Sequence, residues 1–161
     1  MAPSPFLPAL IDGWAAYQQH LVRALAPLSA DQLALRPGPT LRSVGENARH
    51  LVRARASWFF HALGEGDDAI AAIADWEAPG APLRTAAELV GGLETTWQLI
   101  ASCLRRWDAA TLAAPFERTW RGETYTLTRQ WIIWHLLEHD LHHGGEISLT
   151  LGMHGLPGLA L

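Results

Sequence analysis

Four of the chain's eight histidines, His135, His139, His142 and His143, fall within nine residues of one helical stretch. Imidazole is an indifferent helix former and the commonest metal ligand, so this crowding points to a metal site. A helix turns about 100° per residue, which places His143 about 40° and His135 about −40° from His139, with Glu146 between them and His142 at about −60°. All five share one face. His139 and His143, at i and i+4, are separated by about 6 Å along the axis, a spacing at which two rings grip one ion. His135 and His142 are rival ligands on the same face. Glu146, one turn on, either orients a ligand ring, binds the ion itself or is a solvated last-turn residue.

Two ligands on one helix make a loose site, and the best third donor elsewhere is His50. Ser43 and Glu46 form an S-x-x-E capping box, so a helix begins near Ser43 and His50 lies in its second turn. The face around His50 carries Glu46, Asn47, Ala54 and Ser57, flanked by Val44, Leu51 and Trp58, as a cavity wall would. Glu46 is a candidate base one turn before His50, although the capping box already accounts for it. Asp140 makes a His-Asp-x-x-His string, but at i+1 it points about 100° off the ligand face, which assigns it to the surface or to a supporting role. His20, His61 and His154 show no such convergence.

Three neutral imidazoles leave the ion's charge uncompensated and a coordination position open, the arrangement that acidifies a water or a thiol. The catalytic acid or base is unassigned, and no cofactor other than the ion is expected. The competing reading is an interaction domain with merely buried histidines, which requires every clustered ring to find a hydrogen-bond partner.

Composition narrows the alternatives. The 161 residues, 49% hydrophobic, suit one domain over 1–161 with a substantial core. All twelve bases are arginine. Without lysine there is no Schiff base, pyridoxal-phosphate anchor or lysine-bearing phosphate loop. The net charge of −4 and scattered arginines speak against nucleic acid, and Arg49, Arg53 and Arg55, the nearest thing to a patch, are expected to face water. Cys103, the lone cysteine, reads as a small buried hydrophobe. The N-terminus from Met1 to Phe6 lacks an export pattern, and no run reaches the ~18 apolar residues of a membrane helix, so a cytoplasmic protein with no membrane partner is expected.

Helical periodicity supplies the elements that position these residues. Leu7, Leu10, Ile11, Trp14, Leu21 and Leu25 define a first helix ending around Pro27. A short capped turn over Ser29–Leu35 and a Pro37-Gly38-Pro39 loop precede the His50 helix, which ends near Gly64–Asp68. Ala69–Leu83 reads as a loop with room for one short helix. A second capping box, Thr85 with Glu88, opens a third amphipathic helix through Leu89, Leu93, Trp97, Ile100, Leu104 and Trp107. Residues 116–127 form either a small hairpin or an extended loop. Thr128 caps the histidine helix, inside which Gly144-Gly145 marks a bend or a close neighbour, and the tail from Gly152 is irregular. Four long helices result, an all-α four-helix bundle.

A bundle with one histidine early in its second long helix and His139-Asp140-Leu141-His142-His143-Gly144-Gly145-Glu146 in its last resembles the DinB-like superfamily. The resemblance spans about Leu7 to Leu151. It implies an up-down-down-up bundle and a divalent ion, zinc or nickel, held by three histidines, which by position are His50, His139 and His143. It further implies a homodimer and a small-molecule substrate, with a low-molecular-weight thiol as partner, because its better-understood members are bacillithiol- or mycothiol-dependent S-transferases or a thiol-dependent isomerase. The chain departs from the common arginine, glycine and glutamine after the final histidine, where it has Gly144, Gly145 and Glu146. The expected function is therefore a metal-dependent thiol S-transferase or hydrolase. The alternative is a non-catalytic, stress-response dimer in which the ion is structural.

Overall fold

The computed structural model describes residues 6–120 and 122–160; the N-terminal reading over Met1–Pro5 and Arg121 of the hairpin segment lie outside the described residues. The chain order is α1 (Phe6–Leu25), α2 (Ala30–Leu33), α3 (Val44–Ser57) continued by a π-helical turn (Trp58–Ala62), α4 (Asp68–Ala74), α5 (Ala86–Arg106), α6 (Ala109–Ala113), β1 (Pro115–Trp120), β2 (Glu123–Thr128) and α7 (Arg129–Met153).

The capping signals work as their chemistry dictates. Ser43 Oγ accepts from the Glu46 backbone N–H while the Glu46 carboxylate accepts from the Ser43 N–H, and Thr85 with Glu88 repeats the arrangement. Ser29 with Gln32 does the same for the short α2, and Thr128 caps α7 by accepting from the Trp131 N–H.

The four long helices α1, α3, α5 and α7 carry the core, with α3 packed against α7, α4 and α5, and α1 against α5. An all-α chain is corrected in one respect: residues 115–128 form an antiparallel hairpin in which Arg118 pairs with Tyr125 and Trp120 with Glu123. That register leaves a two-residue connection, and Gly122 takes φ +83°, the left-handed backbone such tight turns demand. Threonines and aromatics, which fit a pleated surface better than a helix, explain why this segment leaves the helical pattern.

The apolar interior forms two clusters. One joins Leu21, Leu25, Leu51, Val52, Leu89, Leu93, Ile147 and Leu151; the other joins Trp14, Phe59, Ile100, Leu104, Ile132 and Leu136. Between them lies a fully buried ion pair. Arg55 Nη2 and Nε donate to Asp140 at 2.6 to 3.1 Å, Trp14 Nε1 donates to Asp140 Oδ2 at 2.6 Å, and Arg55 Nη1 donates to Gln18 Oε1 at 2.7 Å. The expectation for Arg55 is overturned, since it does not face water, and of the two readings of Asp140 the surface one is excluded, since its carboxylate is in the core. Helical periodicity gives a charged residue's direction but cannot reveal that a partner waits on another helix. Arg49 and Arg53 are half-buried.

Gly144 and Gly145 do not end α7. A Cβ at Gly144 would lie 2.0 Å from the Tyr17 hydroxyl, so glycine is what lets α1 approach α7. Cys103 is buried, and burial first, then the charge of Glu65, pushes its thiol up to about 11, which makes it inert packing.

Candidate metal centre

His50 projects from the second turn of α3, and His139 and His143 from successive turns of α7. One ring nitrogen of each lies within 4.8 Å of those of the other two. Ring centroids are 5.0 Å apart for His50 and His139, 4.9 Å for His50 and His143, and 4.4 Å for His139 and His143. Residues 89 positions apart in sequence thus meet because α3 and α7 are packed neighbours.

The environment of each ring suits a cation. His50 Nδ1 faces Glu77 Oε2 at 2.9 Å, and His143 Nδ1 faces Glu146 Oε2 at 2.7 Å. A neutral imidazole beside a carboxylate carries its proton on that nitrogen, leaving the Nε2 lone pair for an ion. The hydrogen bond to His50 holds the Glu77 carboxyl below the usual carboxylate range against the opposing effect of burial. His139 Nδ1 is buried and has no hydrogen-bond partner, an orphan that a bound ligand would relieve. Burial, and then the facing rings of His143 and His50, push the His139 pKa down to about 3, so the ring stays neutral and able to donate a lone pair. Burial likewise lowers His143. Three imidazole nitrogen donors, two of them braced by carboxylates, fit a borderline divalent ion.

The other histidines go elsewhere. His135 stacks on Trp131, with centroids 5.0 Å apart and planes 11° apart, and lies 6.1 Å from His139. His142 is exposed and reaches Glu146 at 3.5 Å; with His143 and Glu146 it forms a second group of convergent ligand atoms on the helix surface. His20 Nδ1 accepts from the Arg23 guanidinium, and His154 reaches the Arg36 carbonyl. Glu46 is engaged by the Ser43 N–H and by Arg36, which leaves it no role as a base. Sequence reading missed Glu77. It sits three residues past α4 in a proline-bounded segment with no periodicity, and only the tertiary approach to His50 distinguishes it.

The class this fold and site define is shown by sequence as well: the family profile of the DinB superfamily matches residues 14–147, and the chain belongs to that superfamily. A DinB-like protein from Bacillus cereus superposes with a TM-score of 0.70 at 16% identity, covering 93% of each chain. A DinB-like protein from Bacillus subtilis, YjoA, superposes at 0.65 and 15% identity, covering 95% of this chain and 96% of that one. No curated protein matches. None of the described helices is long and apolar enough to cross a membrane.

Proposed function

We propose that this chain is a cytoplasmic, metal-dependent enzyme that uses a divalent ion, zinc or nickel, held by His50, His139 and His143, to activate a thiol or water nucleophile, as a thiol S-transferase or hydrolase. In this reading residues 1–161 form one domain, an up-down-down-up four-helix bundle. The observation that carries the proposal is the convergence of three histidine rings from two helices, with His139 Nδ1 buried and without a hydrogen-bond partner. An ion at such a centre supplies a Lewis acid with an open position that lowers the pKa of an approaching thiol or water. The chain's own residues then have defined tasks. Glu77 and Glu146 fix the tautomers of His50 and His143, and the packing around His139 keeps its ring unprotonated.

A purely structural ion has less support, because α3 and α7 are already joined by the buried Arg55–Asp140 pair. A homodimer is part of the proposal. Trp134, Leu141, Leu149 and Met153 stand exposed along α7, a stripe a second copy would cover.

Elemental analysis of purified protein tests the centre: about one ion per chain is expected, and either His50→Ala or His139→Ala should strip it. Stoichiometric metal retained in both variants would remove the assignment. Loss of thiol-conjugating activity in the variants with little change in melting temperature separates catalysis from bracing.

A further inference from the structure

Beside the three histidines lies a second feature that the metal does not use. A cleft of about 390 Å³ opens between α3 with its π-helical turn, the inner face of the hairpin, and the first turns of α7. That is within the size range of small-ligand sites. Its walls are aromatic and cationic: Trp58 and Trp131 from the helices, Trp120 and Tyr125 from the hairpin, with Arg53 from α3 and Arg118 from β1. Among the described residues no carboxylate lines it. The nearest acid on the hairpin face, Glu123, accepts from the Tyr125 hydroxyl at 2.7 Å.

The two arginines are the informative pair. Arg118 lies with its guanidinium 4.2 Å from the centre of the Trp58 ring, and neither Arg118 nor Arg53 has an ion-pair partner among the described residues. Arg118 Nη1 and Arg53 Nε are buried from solvent and make no hydrogen bond. Burial and then the neighbouring charge of Arg53 both pull the Arg118 pKa down, the signature of two cations held together without a counterion. Glu77 senses the charge of Arg53 but spends its hydrogen bond on His50. Like charges gathered in a half-buried cleft are costly unless an anion joins them, and the fork of N–H donors on arginine matches planar oxyanions.

The location connects this cleft to the metal centre. Arg53 follows His50 by three residues on α3, on the same side of the helix. His135 forms part of the cleft wall and lies 6.1 Å from His139. The π-helical turn starting at Trp58 widens α3 where it meets the cleft, a distortion that recurs at functional sites.

We propose that this cleft is the substrate subsite of the metal centre, and that it takes a small molecule carrying an oxyanion, a carboxylate or a phosphate, on a flat or apolar body. Its anionic group is held between Arg53 and Arg118, its body lies against Trp58 and Trp131, and its far end is directed past His135 to the three histidines. The assignment rests on the metal-centre reading for what happens to the substrate, but the binding step is independent of it.

The test is a titration of metal-loaded protein with benzoate, phenyl phosphate and benzyl alcohol, followed by tryptophan fluorescence and by calorimetry. Saturable binding of at least one anion is expected, with benzyl alcohol at least about tenfold weaker, and the preferred anion identifies carboxylate or phosphate as the recognised group. Arg118→Gln and Arg53→Gln should each weaken that binding about tenfold or more while leaving metal content and melting temperature unchanged. His139→Ala should lose the ion yet keep the anion affinity within about threefold. Equal binding of the neutral alcohol, no saturable binding of either anion, or full affinity in both arginine variants would overturn the proposal. Anion binding lost in His139→Ala but kept in Arg118→Gln would overturn it too, by placing the anion at the metal centre instead.

Discussion

At the scale of single residues, the proposed centre would depend as much on the carboxylates behind the rings as on the rings. Glu77 is a half-buried acid in a short connection, and its contact with His50 Nδ1 decides which nitrogen of that ring is left to donate. Outer partners of this kind orient the ligand and raise its basicity. Glu77→Gln keeps the shape but removes the negative charge, and metal affinity is expected to fall about 10- to 100-fold. Competition with a chromogenic chelator measures this. Full occupancy at saturating metal distinguishes a weakened ligand from a lost one.

At the scale of elements, α3 and α7 must be aligned along their axes before three rings can meet. The buried Arg55–Asp140 pair provides that alignment: Asp140 is the residue after His139, and Arg55 is five residues after His50. A slide of either helix by one turn, about 5.4 Å, would break the pair and part the rings together. Asp140→Ala leaves Arg55 charged, buried and bereft of its main partner, and Trp14 Nε1 without an acceptor. A loss of about 3–5 kcal/mol is expected in urea unfolding. The same variant should bind metal more weakly although Asp140 touches no ligand atom, and unaltered metal affinity in the folded variant would refute the alignment role.

At the scale of the whole molecule, the charged layer divides the two apolar clusters and links α1 to the rest through Trp14, Tyr17 and Gln18. Burial first, then the Asp140 carboxylate, with Arg55 opposing, push the Tyr17 phenol up to about 12. The folded chain therefore holds a proton that the unfolded chain releases near the ordinary value of 10. Stability linked to Tyr17 is complete below pH 10 and declines as the pH rises from 10 towards 12. Urea midpoints across that range should fall more steeply for the native sequence than for Tyr17→Phe. Parallel curves would show that Tyr17 does not contribute to the pH dependence.

The sequence by itself determined the local features of this protein, because caps and periodicity act within a few residues. Ser43 with Glu46, Thr85 with Glu88, Thr128 before the last helix and the shared face of His139 and His143 are all short-range, and the helices follow from them. His50 could be singled out as the best remaining donor, but only the packing of α3 against α7 brings it to the other two rings. The chain segment over 116–127 was legible as a change of character and not as a choice between hairpin and loop, since strand pairing is settled by the partner strand. Glu77, the burial of Arg55 and Asp140, and the meeting of Arg53 with Arg118 were illegible for the same reason. Each is a charged side chain whose environment is made by elements distant in sequence, and tertiary contact alone turns such residues from solvated surface into partners.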